Sequence, residues 1–197
     1  MNRQRYQLEW SGLEGTLRAY EPTGAQVAEA AAALAESYND PVHGPLMGHD
    51  EAFSEEDVRE HVAWIIEDGG RAFLLEGNGL PAGDADLRGL TERHAELAIL
   101  VGVRAPQGRG LGTRFAVMVT AFAFRVLGLE RVYVSILPDN AASLRLFEKV
   151  GYRPDDSAAA RACAESDDEV TLSIGALDLG RAHPWCSEIR FARLPDG

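Results

Sequence analysis

Lysine is almost missing from this chain: Lys149 is the single one in 197 residues, and the other strongly basic side chains are all arginine. A phosphate loop of the form G-x-x-x-x-G-K-[ST] therefore cannot be written anywhere along it. Basic charge is short as a class, with 19 lysines and arginines against 31 aspartates and glutamates and a formal charge of −12. A field of that sign repels phosphate, which argues against a nucleic-acid or anionic-membrane binder and is compatible with cationic partners. Cysteine is scarce too. Cys163 and Cys186 have neither a metal-site spacing nor the density of a disulfide scaffold, so a reduced cytoplasm is the expected setting. Long apolar runs are absent: the most apolar stretch, Phe115 to Leu129, is broken by Thr120, Arg125 and Gly128 and is too short for a bilayer. The segment Met1–Trp10 carries no apolar run of signal-peptide length.

What is present is an ordinary globular balance, 46% hydrophobic and 25% charged, at a length that suits one domain over residues 1–197. Leu13–Tyr20 reads as a strand closed by Glu21-Pro22, and Thr23 can cap a helix reaching about Tyr38. Ser54 with Asp57 has the capping-box form and opens a second helix, with Val58, Val62, Ile65 and Ile66 on its apolar face and Trp64 in the core. Arg71–Leu75 and Ala82–Leu90 read as strands, the latter interrupted by two aspartates. Ala95–Val103 is almost continuously apolar, as a strand covered on both faces should be. A helix follows from about Leu111 to Leu127, then a strand Arg131–Leu137, a helix from Asn140 to Val150, a strand Glu169–Ile174 and a further strand in Trp185–Arg193. This order predicts an α/β (α+β) domain with helices on both faces of a mixed sheet.

The chemistry gathers where the apolar strand meets the helix, in Gln107-Gly108-Arg109-Gly110-Leu111-Gly112-Thr113. A glycine-dense turn leading into a helix N-terminus presents unpaired N–H groups and the positive end of the helix dipole, which makes an anion site. The dinucleotide fingerprint G-x-G-x-x-G would need glycine where Thr113 stands, so that nucleotide reading fails. Downstream, Asn140-Ala-Ala-Ser143 opens the next helix, which runs through Phe147 to Gly151-Tyr152.

Gln107-x-x-Gly110-x-Gly112, followed by Asn140-x-x-Ser143 and Gly151-Tyr152, resembles the two cofactor-contacting elements of the GNAT acetyltransferase superfamily. The resemblance is strong over about Glu96 to Tyr152. Tyr38-Asn39-Asp40-Pro41 and Phe53-x-x-Glu56 resemble, more loosely, the branch that acetylates ribosomal-protein N-termini; the tail after Gly175 lies outside it. The resemblance implies a mostly antiparallel sheet of six to seven strands, a CoA-binding core over about 95–153, and acetyl-CoA as cosubstrate with no metal. Leu100, Val101, Gly102 and Val103 would then line the pantetheine arm, Gln107, Gly108, Arg109, Gly110, Leu111, Gly112 and Thr113 would hold the pyrophosphate, and Asn140, Ser143 and Phe147 would complete the site. Backbone N–H groups near Ile99–Val101 would polarise the thioester carbonyl.

Glu96 stands eleven positions before Gln107, the spacing of the glutamate base in histone-type members, and is the lone acid of its apolar run. It is the expected proton acceptor, with His94 as the second candidate; the alternative for Glu96 is a strand-end carboxylate paired with arginine. His43, Met47 and Glu96 are expected to face the acceptor. His43, His49, Asp50 and Glu51 share a loop without the spacing of a metal site. Phe147 stands where many members carry a tyrosine that protonates the departing thiolate. The reading is an N-acetyltransferase acting by direct attack on a primary amine (a protein N-terminus, an aminoglycoside-like molecule or a small amine), with no nucleic-acid or membrane partner and a homodimer left open. A degenerate domain that binds acyl-CoA without turnover is the alternative.

Overall fold

The computed structural model of the protein describes residues 3–13, 15–41, 44–47, 52–103, 105, 110–164, 166 and 168–195. Strands β1 (Tyr6–Gly12) and β2 (Gly15–Tyr20) form a hairpin, followed by helices α1 (Gly24–Tyr38) and α2 (Glu55–Glu67), with a short 3-10 turn, Gly44–Met47, between them. Strands β3 (Arg71–Gly77), β4 (Leu80–Arg88) and β5 (His94–Val101) form a meander. Then come α3 (Leu111–Arg125), β6 (Arg131–Ile136), α4 (Ala141–Val150), β7 (Arg153–Pro154), α5 (Ala158–Arg161), β8 (Val170–Gly175), α6 (Ala176–Ala182), a 3-10 turn Pro184–Glu188, and β9 (Arg190–Arg193). The sheet order is β7-β8-β6-β5-β4-β3-β2-β1-β9, antiparallel throughout except between β5 and β6.

Nine strands among the described residues exceed the expected six to seven. The first extra strand comes from Tyr6–Gly12, whose Tyr6, Leu8 and Trp10 alternate with Gln7 and Glu9 in a half-buried pattern. Leu13, expected to begin a strand, sits at the hairpin connection and is fully exposed. The two-residue β7 and the tail strand β9 complete the count; Arg125 anchors the tail by donating to Cys186 O at 2.7 Å and lying 4.7 Å from the Phe191 ring centre.

Alternation along β3 shows why helices cover both faces. Phe73 and Leu75 enter the large core with Phe115 and Phe122 of α3, while Leu74 packs with Leu34, Tyr38 and Val58 of α1 and α2. Phe73 and Phe122 meet edge to face at 5.3 Å, and truncating either to alanine would cost about 3–5 kcal/mol. Both expected caps form: Thr23 exchanges hydrogen bonds with Gln26, and Ser54 with Asp57. On α2, however, Ile66 and Trp64 are exposed, at 43% and 53%. With Val58, Val62 and Ile65 turned inward at helical spacing, these two fall outside the arc that reaches α1 and the sheet. Among the described residues no helix is long and apolar enough to cross a membrane.

Candidate functional site

β5 and β6 lie side by side only at their starts, His94 against Arg131, Ala95 against Val132 and Glu96 against Tyr133. Beyond that point β5 continues to Val101 and β6 to Ile136 without pairing to each other, while β4 and β8 occupy their outer edges. The inner edges therefore diverge. Gly102 N donates to Ala82 O at 2.8 Å, which sets the phase of the β4–β5 ladder. Leu100 and Ala98 turn their backbone groups toward β4, and Ile99 and Val101 turn theirs into the gap. Backbone groups in a fold interior usually find a partner, and neither β4 nor β6 supplies one to this row.

A cleft of about 180 Å³ occupies the divergence and passes between the two faces of the sheet. Leu97, Ala98, Ile99 and Leu100 form one wall, and Ser135, Ile136 and Leu137 the other. Asn140, Ser143 and Phe147 line it on the α3–α4 side; Tyr38, His61, Asp84 and Asp86 line it on the side of α1 and α2.

Asp84 and Asp86 are the electrostatic centre of this cleft. They stand two apart on β4, opposite Leu100 and Ala98 of β5, so both project from the α1–α2 face. Their exposures are only 7% and 8%. Tyr38 donates to Asp84 Oδ2 at 2.6 Å, but Oδ1 of each aspartate has no hydrogen-bond partner among the described residues, and neither has Ser135 Oγ. Burial pushes the Asp84 carboxyl up to about 6 against the opposing pull of the Tyr38 hydroxyl. Burial pushes Asp86 up to about 7; Arg88 opposes the rise, and the nearby charges of Asp84 and Glu96 add to it. Arg88 Nε lies 4.0 Å from Asp86 Oδ1, too far for a hydrogen bond. Burial and the Asp84 charge hold the Tyr38 phenol well above its usual range, so it stays a neutral donor.

Residues 16–153, more than half of the chain, match the family model of the Acetyltransferase (GNAT) domain. The chain belongs to the GNAT acetyltransferase family. Spermidine N(1)-acetyltransferase of Escherichia coli K12 is 31% identical over 84 residues, covering 42% of this chain and 45% of that protein. The chain thus spans about half the length of the curated relatives it matches. Among solved structures, Mycobacterium smegmatis RimJ in complex with CoA-disulfide superposes with a TM-score of 0.70 at 16% identity, covering 96% of this chain and 97% of that one. Spermidine N-acetyltransferase from Vibrio cholerae, in complex with CoA and spermine, gives 0.66 at 16% identity over 83% and 97%. These likenesses establish the GNAT fold and do not choose an acceptor.

The residues named from the sequence fall unevenly on this GNAT site. Glu96 is buried and paired with Arg88, whose Nε and Nη2 lie 3.2 and 3.4 Å from its two carboxylate oxygens. His94 sits at the start of β5 against the edge of Tyr133, where the strands are still paired. Neither is among the described residues lining the cleft, whereas Leu100, Asn140, Ser143 and Phe147 are. Asn140 caps α4, accepting from Ser143 N at 3.0 Å. Val101 ends β5; the N–H groups of Gly102 and Val103 go to Ala82 O and Ser37 Oγ. Gly110 is the left-handed N-cap of α3 at φ 67°, with none of the described residues within 4 Å of where a Cβ would stand. Gly112 answers a different need: a Cβ there would lie 2.6 Å from Leu146, so its bareness serves the packing of α3 on α4. Leu111 and Thr113 are partly buried in the first turn of α3. Gln107, Gly108, Arg109, His43, His49, Asp50, Glu51 and the Met47 side chain lie outside the described residues. No group of three or more potential metal ligands occurs among the described residues.

Asp84, Asp86 and His61 were not named as site residues from the sequence, and Tyr38 entered only through the looser Tyr38-Asn39-Asp40-Pro41 resemblance. Their signal is Gly83-Asp-Ala-Asp86-Leu, two acids placed on one face of an otherwise apolar strand. An acid there costs sheet and core stability, so its presence calls for a partner or a ligand.

Proposed function

We propose that this GNAT protein transfers an acetyl group from acetyl-CoA to a primary amine that is cationic in solution. The carrying observation is the divergence of β5 from β6 around two buried carboxylates, each with an oxygen that has no hydrogen-bond partner among the described residues. The E. coli relative is named for spermidine and the V. cholerae structure holds spermine beside CoA, which supports an amine acceptor. The residues present fit the cosubstrate. Ile99 and Val101 offer backbone groups along the gap, Ser135 offers an unpartnered hydroxyl, and the amino end of α3 offers a dipole to phosphate. Acetyl-CoA would supply an activated thioester carbonyl there.

Asp86 takes the role expected of Glu96. An ammonium entering from the α1–α2 side meets the Asp84 and Asp86 carboxylates, and Asp86 Oδ1 accepts one of its protons. An acid with a pKa near 7 can take that proton at neutral pH without holding the amine as a permanent ion pair. Tyr38 holds Asp84 in place, and the Glu96–Arg88 pair flanks Asp86 and moderates its charge. The N–H groups of Ile99 and Val101 face the side where the carbonyl oxygen would gather charge. Phe147 has no proton for the departing thiolate, so no side chain at its position assists that step.

The decisive measurement is release of free CoA thiol from acetyl-CoA across a panel of amines. Turnover with any primary amine supports transfer. Tight CoA binding with no thiol release from any of them overturns it, and the bare ring of Phe147 would then favour an acyl-CoA-binding domain without turnover.

A further inference from the structure

His61 lines the catalytic cleft and also a second concavity of about 380 Å³ on the outer side of α2, whose other lining residues are Ala52, Phe53, Asp57, Glu60 and Trp64. The two hollows thus meet at one side chain. Packed aromatic rings link their linings. Tyr38, whose hydroxyl ends on Asp84, stacks on Phe53 at 5.1 Å and meets His61 edge-on at 6.5 Å, and His61 lies 6.2 Å from Trp64. Trp64 is 53% exposed on a helix whose other apolar contacts point inward. A single exposed tryptophan is unremarkable by itself. Its position in a hollow that shares His61 with the cleft of the two carboxylates is what gives it a use.

Charge has the same sign at both ends. Inside, Asp84 and Asp86 are more than nine-tenths buried, line the cleft with Arg88, and each has an oxygen with no hydrogen-bond partner among the described residues. Outside, Asp57 has one carboxylate oxygen committed to Ser54 at the helix cap. Arg59 is engaged by Glu55 and Glu56, and among the described residues no cation pairs with Glu60. A tryptophan face beside a carboxylate binds an organic ammonium by cation–π attraction and by charge together.

We infer that the acceptor is an elongated amine with at least two positive charges, its reacting nitrogen at Asp84 and Asp86 and its distal ammonium on Trp64 and Glu60. This rests on the acetyl-transfer reading and narrows its substrate to an α,ω-diamine or a longer linear polyamine. The test compares kcat/KM for 1-aminoalkanes and α,ω-diaminoalkanes of equal chain length, in the wild type, Trp64→Ala and Glu60→Gln. Both side chains are exposed, so the variants should fold. Diamines should be preferred at least about tenfold in the wild type, and each substitution should erase most of that preference through KM, with kcat and monoamine kcat/KM unchanged. Equal use of mono- and diamines overturns the inference. So does a peptide N-terminus preferred over every diamine with no sensitivity to Trp64→Ala. If no amine supports thiol release, the acetyl-transfer reading falls instead, and calorimetry of 1,4-diaminobutane and spermine on the CoA-loaded protein decides the subsite. Binding weakened at least about fivefold by Trp64→Ala supports it, and binding that is absent or unchanged overturns it.

Discussion

Two buried carboxylate sites in this protein face opposite fates. Glu21, 3% exposed, is saturated: Tyr6 N donates to it at 2.7 Å, and Arg3 and Arg71 each reach it at 3.2 Å. Asp84 and Asp86 are almost as deeply buried, yet each keeps an oxygen without a hydrogen-bond partner among the described residues. Burial raises the carboxyl pKa in both places, but at Glu21 the two arginines and the Tyr6 N–H oppose the rise, while at Asp86 Arg88 is the one opposing group. Burial alone therefore does not distinguish a structural acid from a working one. What sets Asp84 and Asp86 apart is an oxygen with no partner among the described residues on a side chain that lines the cleft, where burial without a partner costs stability.

The largest effect should come from removing the working acid. Asp86→Asn keeps the shape and loses the proton acceptor, so kcat/KM should fall by about two to four orders of magnitude with CoA affinity intact. In the wild type the acid limb of the kcat/KM profile should bend near pH 7, and in the variant that limb should vanish. Steady-state kinetics from pH 5.5 to 9 will check both. An unchanged limb in Asp86→Asn, lost instead in Glu96→Gln, would return the role to Glu96 and break the contrast.

The saturated acid should behave the other way. Glu21→Gln strands two guanidinium groups around a neutral amide, a loss of about 3–5 kcal/mol expected for breaking a buried ion pair. The denaturation midpoint should drop, and activity per folded molecule should hold. Urea melts paired with thiol release separate the two quantities, and a stable but inactive Glu21→Gln would refute the division of labour.

A smaller effect concerns stability against pH. The folded values of about 6 for Asp84 and about 7 for Asp86 lie above the ordinary carboxyl value of 3.8. The native state therefore binds more protons than the unfolded chain between about pH 4 and 7, and stability falls as pH rises through that window. Asp86→Asn removes one of the two groups, and at pH 8 it should be more stable than the wild type by on the order of 1–3 kcal/mol, with little difference at pH 4. Thermal melts at both pH values test the sign; a variant less stable at pH 8 contradicts it.

The same contrast explains what could be read from the sequence. Signals that repeat along the chain were legible: the apolar run of β5, the capping boxes at Thr23 and Ser54, the glycine turn, and the Asn140–Ser143 element. Each is local, and the described parts of each lie where they were expected; Gln107, Gly108 and Arg109 of the turn are outside the described residues. The acids were harder, because a buried carboxylate is defined by what surrounds it in space. Glu96 stood out as the lone acid of its strand, but its neighbour across the sheet is Arg88, and strand register decides that. Asp84 and Asp86 weakened the strand reading of β4 by breaking its apolar pattern; that break was itself the sign of the site. Trp64 fell on the wrong side of α2 because 3.6-residue spacing orders a helix face without saying how wide the buried arc is.

The smallest expected effect tests the other end of the proposed reaction, where Phe147 offers no proton donor opposite the proposed base Asp86. Phe147 lines the cleft, 4% exposed, with its ring edge-on to Tyr152 at 5.1 Å. Tyr152 cannot stand in: it is fully buried, its hydroxyl is shared with Thr120 at 2.9 Å, and burial drives its pKa further up. A thiol of ordinary pKa, about 8.5, leaves tolerably as thiolate and can take its proton from water or from the ammonium product. Phe147→Tyr should therefore change kcat by less than about threefold, under ~0.7 kcal/mol of barrier. Single-turnover rates on the two proteins measure it directly. A gain of a hundredfold would mean that protonation of the leaving group limits the native protein. The site's asymmetry would then be a defect rather than a working arrangement, and the non-catalytic acyl-CoA-binding reading would gain the ground that acetyl transfer lost.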